Sequence, residues 1–154
     1  MRARLLVPSL ALLGLLSGCA GTIALQPAEA ANDPACAEVM VRVPDVVAGL
    51  DRRSTNAQST AAWGDPAAVI LRCGLPDGGP SVLPCFTVDN VDWLRDDAND
   101  PNFTFVTYGR NPAVEVLIDS AAVSGTAVLS DLSIAVGTLE PLRVCVDATD
   151  VLGN

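Results

Sequence analysis

Histidine and lysine are absent from the 154 residues, and all nine basic residues are arginine. Without histidine the chain cannot build a Ser-His-Asp or Cys-His nucleophilic site, and without lysine it cannot form a Schiff base or a Ser-Lys dyad. A zinc site would lack its usual nitrogen ligand, and no CxxC pair replaces it. Basic runs are missing as well. Nine arginines face 18 acids, for a formal charge of −9, so nothing can track a phosphate backbone and no nucleic-acid binding is expected. Neither a Walker motif nor a GxGxxG pattern occurs, and no cofactor is expected. Aromatic residues are few. All six (Trp63, Phe86, Trp93, Phe103, Phe105 and Tyr108) lie in one central stretch, where the densest packing is expected.

What is present begins at the N-terminus. Arg2 and Arg4 precede an apolar run from Leu5 to Leu16, followed by Ser17, Gly18 and Cys19. That order of basic, apolar and small residues ending at a cysteine is a secretory signal peptide with a lipobox. Residues 1–18 are expected to be removed. Cys19 is expected to carry a diacylglycerol, so that membrane lipid is a partner through the acylated cysteine. The apolar run is too short for a spanning helix, which needs about 20 residues. Cleavage takes away Arg2 and Arg4 and no acid, shifting the formal charge from −9 to −11. Such a charge opposes contact with anionic head groups. The sequence therefore predicts an extracytoplasmic domain, anchored in the cell membrane by its lipid, whose own surface stays off the bilayer.

Four cysteines remain after Cys19: Cys36, Cys73, Cys85 and Cys145. An even number in an exported domain predicts two disulfides, with three pairings open. The segment between Cys73 and Cys85 holds Gly74, Pro76, Gly78, Gly79, Pro80 and Pro84 and could fold back on itself. The favoured pairing is thus Cys73–Cys85, with Cys36–Cys145 tying the ends of the domain together.

Residues 19–35 are small, polar or proline after the anchor and predict a flexible tether with a coil dimension of about 20–25 Å. The globular domain is expected over 36–154. Residues 36–50 fit a helix broken at Pro44, or a strand, turn and short helix. Ser54 to Ala62 predicts a surface connection. Strands are expected at Val69–Cys73, from Phe86, at Phe103–Tyr108, at Val114–Asp119 and at Leu142–Asp147, with a hairpin loop at Gly109–Pro112. Val128, Leu129, Leu132, Ala135, Val136 and Leu139 recur at helical spacing and predict a helix over 126–139. The expected fold is α+β: a small single domain with a mostly antiparallel sheet of four to five strands, one or two helices and two disulfides.

Carboxylates are abundant, so a two-carboxylate hydrolase passes the filter on catalytic groups without being singled out by it. The acidic stretch Asp89, Asp92, Asp96, Asp97, Asn99 and Asp100 has enough oxygens for calcium, but neither the spacing nor the glycine of an EF-hand loop. A solvated acidic loop is the expected reading, and no metal site is assigned.

More distinctive are Arg52-Arg53-Ser54-Thr55, Trp63-Gly64-Asp65-Pro66, Arg72-Cys73-Gly74, Val91-Asp92-Trp93-Leu94 and Thr107-Tyr108-Gly109-Arg110. Together they resemble a family of actinobacterial lipoproteins whose conserved domain has no known function. The resemblance covers Cys36 to about Cys145 and implies an exported, membrane-anchored domain without an established activity. In one reading Arg53, Arg72 and Arg110 gather around a groove walled by Trp63, Trp93 and Tyr108. Arginine forks there would bind a small anion or a peptide carboxylate. In the other reading the tryptophans are core and the arginines pair locally with acids. Functionally, the sequence predicts a non-catalytic binding or accessory module of the cell envelope. The alternatives are an envelope hydrolase using paired carboxylates, and a structural lipoprotein that contacts a membrane protein.

Overall fold

The computed structural model describes residues 21–146. Residues 1–20, which include the expected signal peptide and Cys19, and residues 147–154 lie outside them. Among the described residues, eight strands form one antiparallel sheet beside two helices. This corrects the expected four to five strands.

In chain order the elements are α1 (Pro34–Met40), β1 (Val46–Val47), β2 (Leu50–Arg53), β3 (Thr60–Trp63) and β4 (Val69–Leu75). These are followed by β5 (Cys85–Val88), β6 (Val91–Asp96), β7 (Asn102–Thr107), β8 (Ala113–Asp119) and α2 (Gly125–Val136). The strand order is β1-β2-β3-β4-β8-β7-β6-β5. The chain walks outward-in to β4, crosses to the far edge, and returns as a meander that closes β8 against β4.

The unexpected strands have physical reasons. β3 is Thr-Ala-Ala-Trp, whose two central alanines are weak strand formers, yet every one of its residues is buried because it lies inside the sheet. In β6 the acids Asp92 and Asp96 hide a strand whose centre, Trp93 and Leu94, is buried. Asp92 is accommodated by accepting hydrogen bonds from Thr87 Oγ1 at 2.5 Å and from the Cys145 amide at 2.8 Å.

One face of the sheet carries the core. Trp63, Val69, Leu71, Trp93, Phe105, Val114, Val116 and Ile118 pack against Cys36 and Val39 of α1 and the apolar stripe of α2. Burying that stripe is what holds α2 as a helix, since a helix this short is marginal alone. Ser124 caps its start and Gly137 follows its end. The hairpin at Gly109–Pro112 joins β7 to β8, as expected.

The disulfides are Cys36–Cys73 and Cys85–Cys145, which corrects the favoured pairing. Cys73 and Cys85 sit on β4 and β5, separated in the sheet by β8, β7 and β6. Four strand spacings amount to about 19 Å, whereas bonded cysteines here have Cα atoms 5.6 and 5.7 Å apart. The Gly/Pro-rich segment between them spans the sheet instead of closing on itself.

Two further expectations change. From Ile23 onward the segment read as a tether is fastened to the domain. The Ile23 amide donates to Ser54 O at 2.8 Å, Asn56 N to Ile23 O at 3.2 Å and Ala30 N to Gly74 O at 2.9 Å. Ser59 Oγ donates to Ala31 O, and Ala31 is buried. Gly74 has φ +111°, and a Cβ there would lie within 3 Å of the Ala30–Ala31 backbone. The close approach requires glycine.

At the other end, 142–146 is no strand among the described residues; a bridge between Arg110 and Pro141 lies just before it. Asp147, where the expected strand ends, lies outside the described residues. The alternation over 142–146 runs apolar side out. Leu142, Val144 and Val146 are exposed because Arg143 is turned inward to Asp77 and Cys145 to Cys85.

Candidate functional site

The arginines and aromatics expected to share a groove are dispersed. Trp63 and Trp93 are fully buried in the core, and Trp63 Nε1 donates to Pro44 O at 3.0 Å. Arg53 ends β2, with Nη1 2.8 Å from Asp65 Oδ1 and hydrogen bonds to the carbonyls of Gly64 and Gly21. Arg72 lies on β4 opposite Glu115 of β8, donating Nε and Nη2 to the same carboxylate oxygen at 3.0 and 2.7 Å. Tyr108 lies under the guanidinium of Arg143, 6.0 Å from its ring centre. No common groove forms.

Arg110 departs furthest from expectation. Read as an exposed hairpin arginine, it is 3% exposed. It donates to Leu139 O beyond α2 and to Asn90 O in the β5–β6 turn. Burial lowers its pKa, while the negative potential of Asp92 and Glu140 works the other way. It is a tie between three parts of the fold, with no face left for a ligand.

The acidic stretch is partly tied into the fold and partly the solvated loop expected, since residues 97–100 are exposed. Asp92 is buried, Asp89 accepts from Ser130 Oγ, Asp96 accepts from the Ala98 amide, and Asp97 pairs with Arg95. Among the described residues no cluster of three acids, cysteines or histidines could hold a metal.

Among the clefts on the described residues are two with room for a small ligand. One, of about 360 Å³, opens where the N-terminus of α2 stops short of covering β5–β7. Phe86, Phe103, Phe105, Ile118 and Leu129 form its walls, with Arg95 at the rim. Phe86 and Phe105 meet edge to face with centroids 6.0 Å apart, and the Arg95 guanidinium lies 5.7 Å from the Phe103 ring centre. Its Nε is buried without a hydrogen-bond partner among the described residues. Gly125 opens the mouth: a Cβ there would stand 3.5 Å from Phe105 Cζ, so any larger side chain would enter the cleft. The first amides of α2 are spare donors by helix geometry. No carboxylate lines this cleft, on a chain where acids outnumber bases two to one.

The signal for this site in the sequence was the Phe103/Phe105 alternation, which marks a core face. That α2 leaves part of that face uncovered depends on helix placement, which the sequence pattern does not contain.

The second cleft, of about 470 Å³, is polar and lined by Asp45, Arg52, Arg53, Ser54 and Thr55. Arg52 has no ion-pair partner among the described residues, although every other arginine here except buried Arg110 has one. The linings of both clefts together include one carboxylate, that of Asp45.

Comparison with curated proteins and with solved structures yields no match. A family model described as a protein of unknown function, DUF3515, matches residues 18–143. The match takes in the sheet, both helices and both clefts, and the chain therefore belongs to the DUF3515 family of proteins of unknown function.

Proposed function

We propose that this protein is a lipid-anchored, extracytoplasmic binding module of the cell envelope, without catalysis of its own, and that the phenylalanine cleft is its ligand site. The lipobox ending at Cys19 supports the anchor, and two disulfides fit an oxidising compartment. The resemblance to actinobacterial lipoproteins supports the same setting. The observation that carries the reading is the cleft itself: three phenylalanine rings around space for a small ligand, one arginine, and no acid–base pair. An apolar body would bury against the rings, and an anionic end would meet Arg95. A two-carboxylate hydrolase finds no facing pair of acids in either cleft.

The test is fluorescence titration of the folded chain with anilinonaphthalene sulfonate, an apolar probe with one anionic group. Saturable single-site binding is expected. Gly125→Leu should remove it with the melting temperature unchanged, and Arg95→Gln should weaken it about tenfold, as for one charge-assisted hydrogen bond. Equal binding by Gly125→Leu and the parent chain would sink the reading.

A second reading has an observation of its own. The segment 141–146 is held by Asp77 and Cys85, yet presents Leu142, Val144 and Val146 outward. Such a fixed apolar row suits contact with an envelope protein.

A further inference from the structure

The polar cleft at Arg52 and Arg53 lies where the chain would leave the membrane. Gly21 is the first described residue, and its carbonyl accepts a hydrogen bond from Arg53 Nη2 at 3.2 Å. Two residues on, Ile23 is bonded to Ser54 and Asn56 on the connection that follows β2. Only two peptide links separate Cys19 from Gly21. At 3.8 Å per link they reach no further than about 8 Å. If Cys19 carries the lipid, as proposed above, the domain does not swing on a tether running from there to residue 35. The cleft is then held within about one head-group layer of the bilayer surface.

Its chemistry suits that place. Arg52 lacks an ion-pair partner among the described residues, and Arg53 has a buried Nε without an acceptor. Thr55 Oγ1 is engaged with Thr60, which leaves the Ser54 hydroxyl as an additional donor. Guanidinium forks bind phosphate oxygens in pairs. Two acids oppose them: Asp45 in the lining and Asp65, which shares Arg53. With the rest of the chain acidic as well, this site is too weak to draw the protein to lipid from solution. A two-residue leash changes that, because it presents head groups at millimolar effective concentration or above.

We propose that the Arg52–Arg53 cleft seats the phosphodiester of a membrane phospholipid head group, clamping the anchored domain onto the bilayer in one orientation. This rests on acylation of Cys19.

The experiment compares hydrogen exchange across residues 45–56 in the acylated protein, held in phosphatidylglycerol vesicles or in uncharged maltoside micelles. Mass spectrometry of the N-terminal peptide first establishes whether Cys19 is acylated. An unmodified cysteine would defeat the anchor reading separately from the clamp. With the lipid present, exchange in vesicles should be about five-fold slower, the factor that one arginine contributes at an anionic surface. Arg52→Gln should abolish the difference with the melting temperature unchanged, since its guanidinium makes no bond within the described fold. Equal exchange in vesicles and micelles would overturn the clamp, as would equal slowing in Arg52→Gln. Slowing of the micelle-held protein by millimolar inorganic phosphate to the vesicle level would also overturn it, assigning the cleft to a soluble anion.

Discussion

Arg110 Nη1 donates to the backbone carbonyl of Leu139, 29 residues further along the chain and past the end of α2. A second bond from the same guanidinium reaches Asn90 O at 3.2 Å. One side chain thus fastens the β7–β8 loop to the helix terminus and to the β5–β6 turn.

Arg110→Gln should therefore destabilise the fold. The shorter side chain cannot reach both carbonyls, and a buried acceptor left without its donor costs about 1–3 kcal/mol. Urea denaturation should show a lower midpoint with an unchanged slope. A midpoint equal to that of the parent would mean that the guanidinium bonds contribute nothing.

Arg72→Gln is expected to be mild. Arg72 and Glu115 face each other across β4 and β8, with side chains 32% and 14% exposed. Cross-strand pairs of this kind are worth about 0.2–1 kcal/mol. A loss beyond 2 kcal/mol, on the same denaturation measurement, would contradict this account.

Non-reducing peptide mapping should join Cys36 to Cys73 and Cys85 to Cys145. Serine in place of either partner of a pair should cost about 2–5 kcal/mol, the usual range for small exported domains. A peptide linking Cys73 to Cys85 would contradict the strand order itself, because β4 and β5 would have to be neighbours.

Gly74→Ala tests the docking of the N-terminal segment. An added methyl would strike the Ala30–Ala31 backbone, at a φ that side chains rarely adopt. The expected cost is about 1–3 kcal/mol. Faster proteolysis between residues 21 and 33 should accompany it. Unaltered protection of that segment would show that it docks without this contact.

If Cys19 is acylated, as proposed above, Cys19→Ser should abolish acylation, leaving the precursor uncleaved or the product released by another route. Metabolic labelling with an alkynyl fatty acid reads this directly. Equal label on the variant would remove the basis for the anchor.

Much of the fold was legible because its signals are local. The period of Val128, Leu129, Leu132, Ala135 and Val136 is a property of neighbouring residues, and α2 forms there with all five buried. The alternation at Val114, Val116 and Ile118 likewise yields β8 with those residues inward. β3 and β6 were hidden for the opposite reason. Thr60-Ala61-Ala62 has the composition of a connection and becomes a strand only because β2 and β4 flank it. Asp92 reads as solvated until the Thr87 hydroxyl and the Cys145 amide arrive from elsewhere in the chain.

The sequence by itself determined the missing side-chain types, the number of disulfide cysteines and the order of the strongest elements, and it alone carries the proposal of a lipid anchor at Cys19. Each of these follows from residue identity or spacing along the chain. Only the tertiary structure decided which cysteines bond, that Arg110 lies inside, and that the supposed tether is docked. It also decided that the two clefts sit at Arg52–Arg53 and among Phe86, Phe103 and Phe105. The physical reason is common to all of these. Strand order and helix placement set which distant residues meet. A side chain's role as tie, core or ligand site depends on those neighbours, not on its place in the chain.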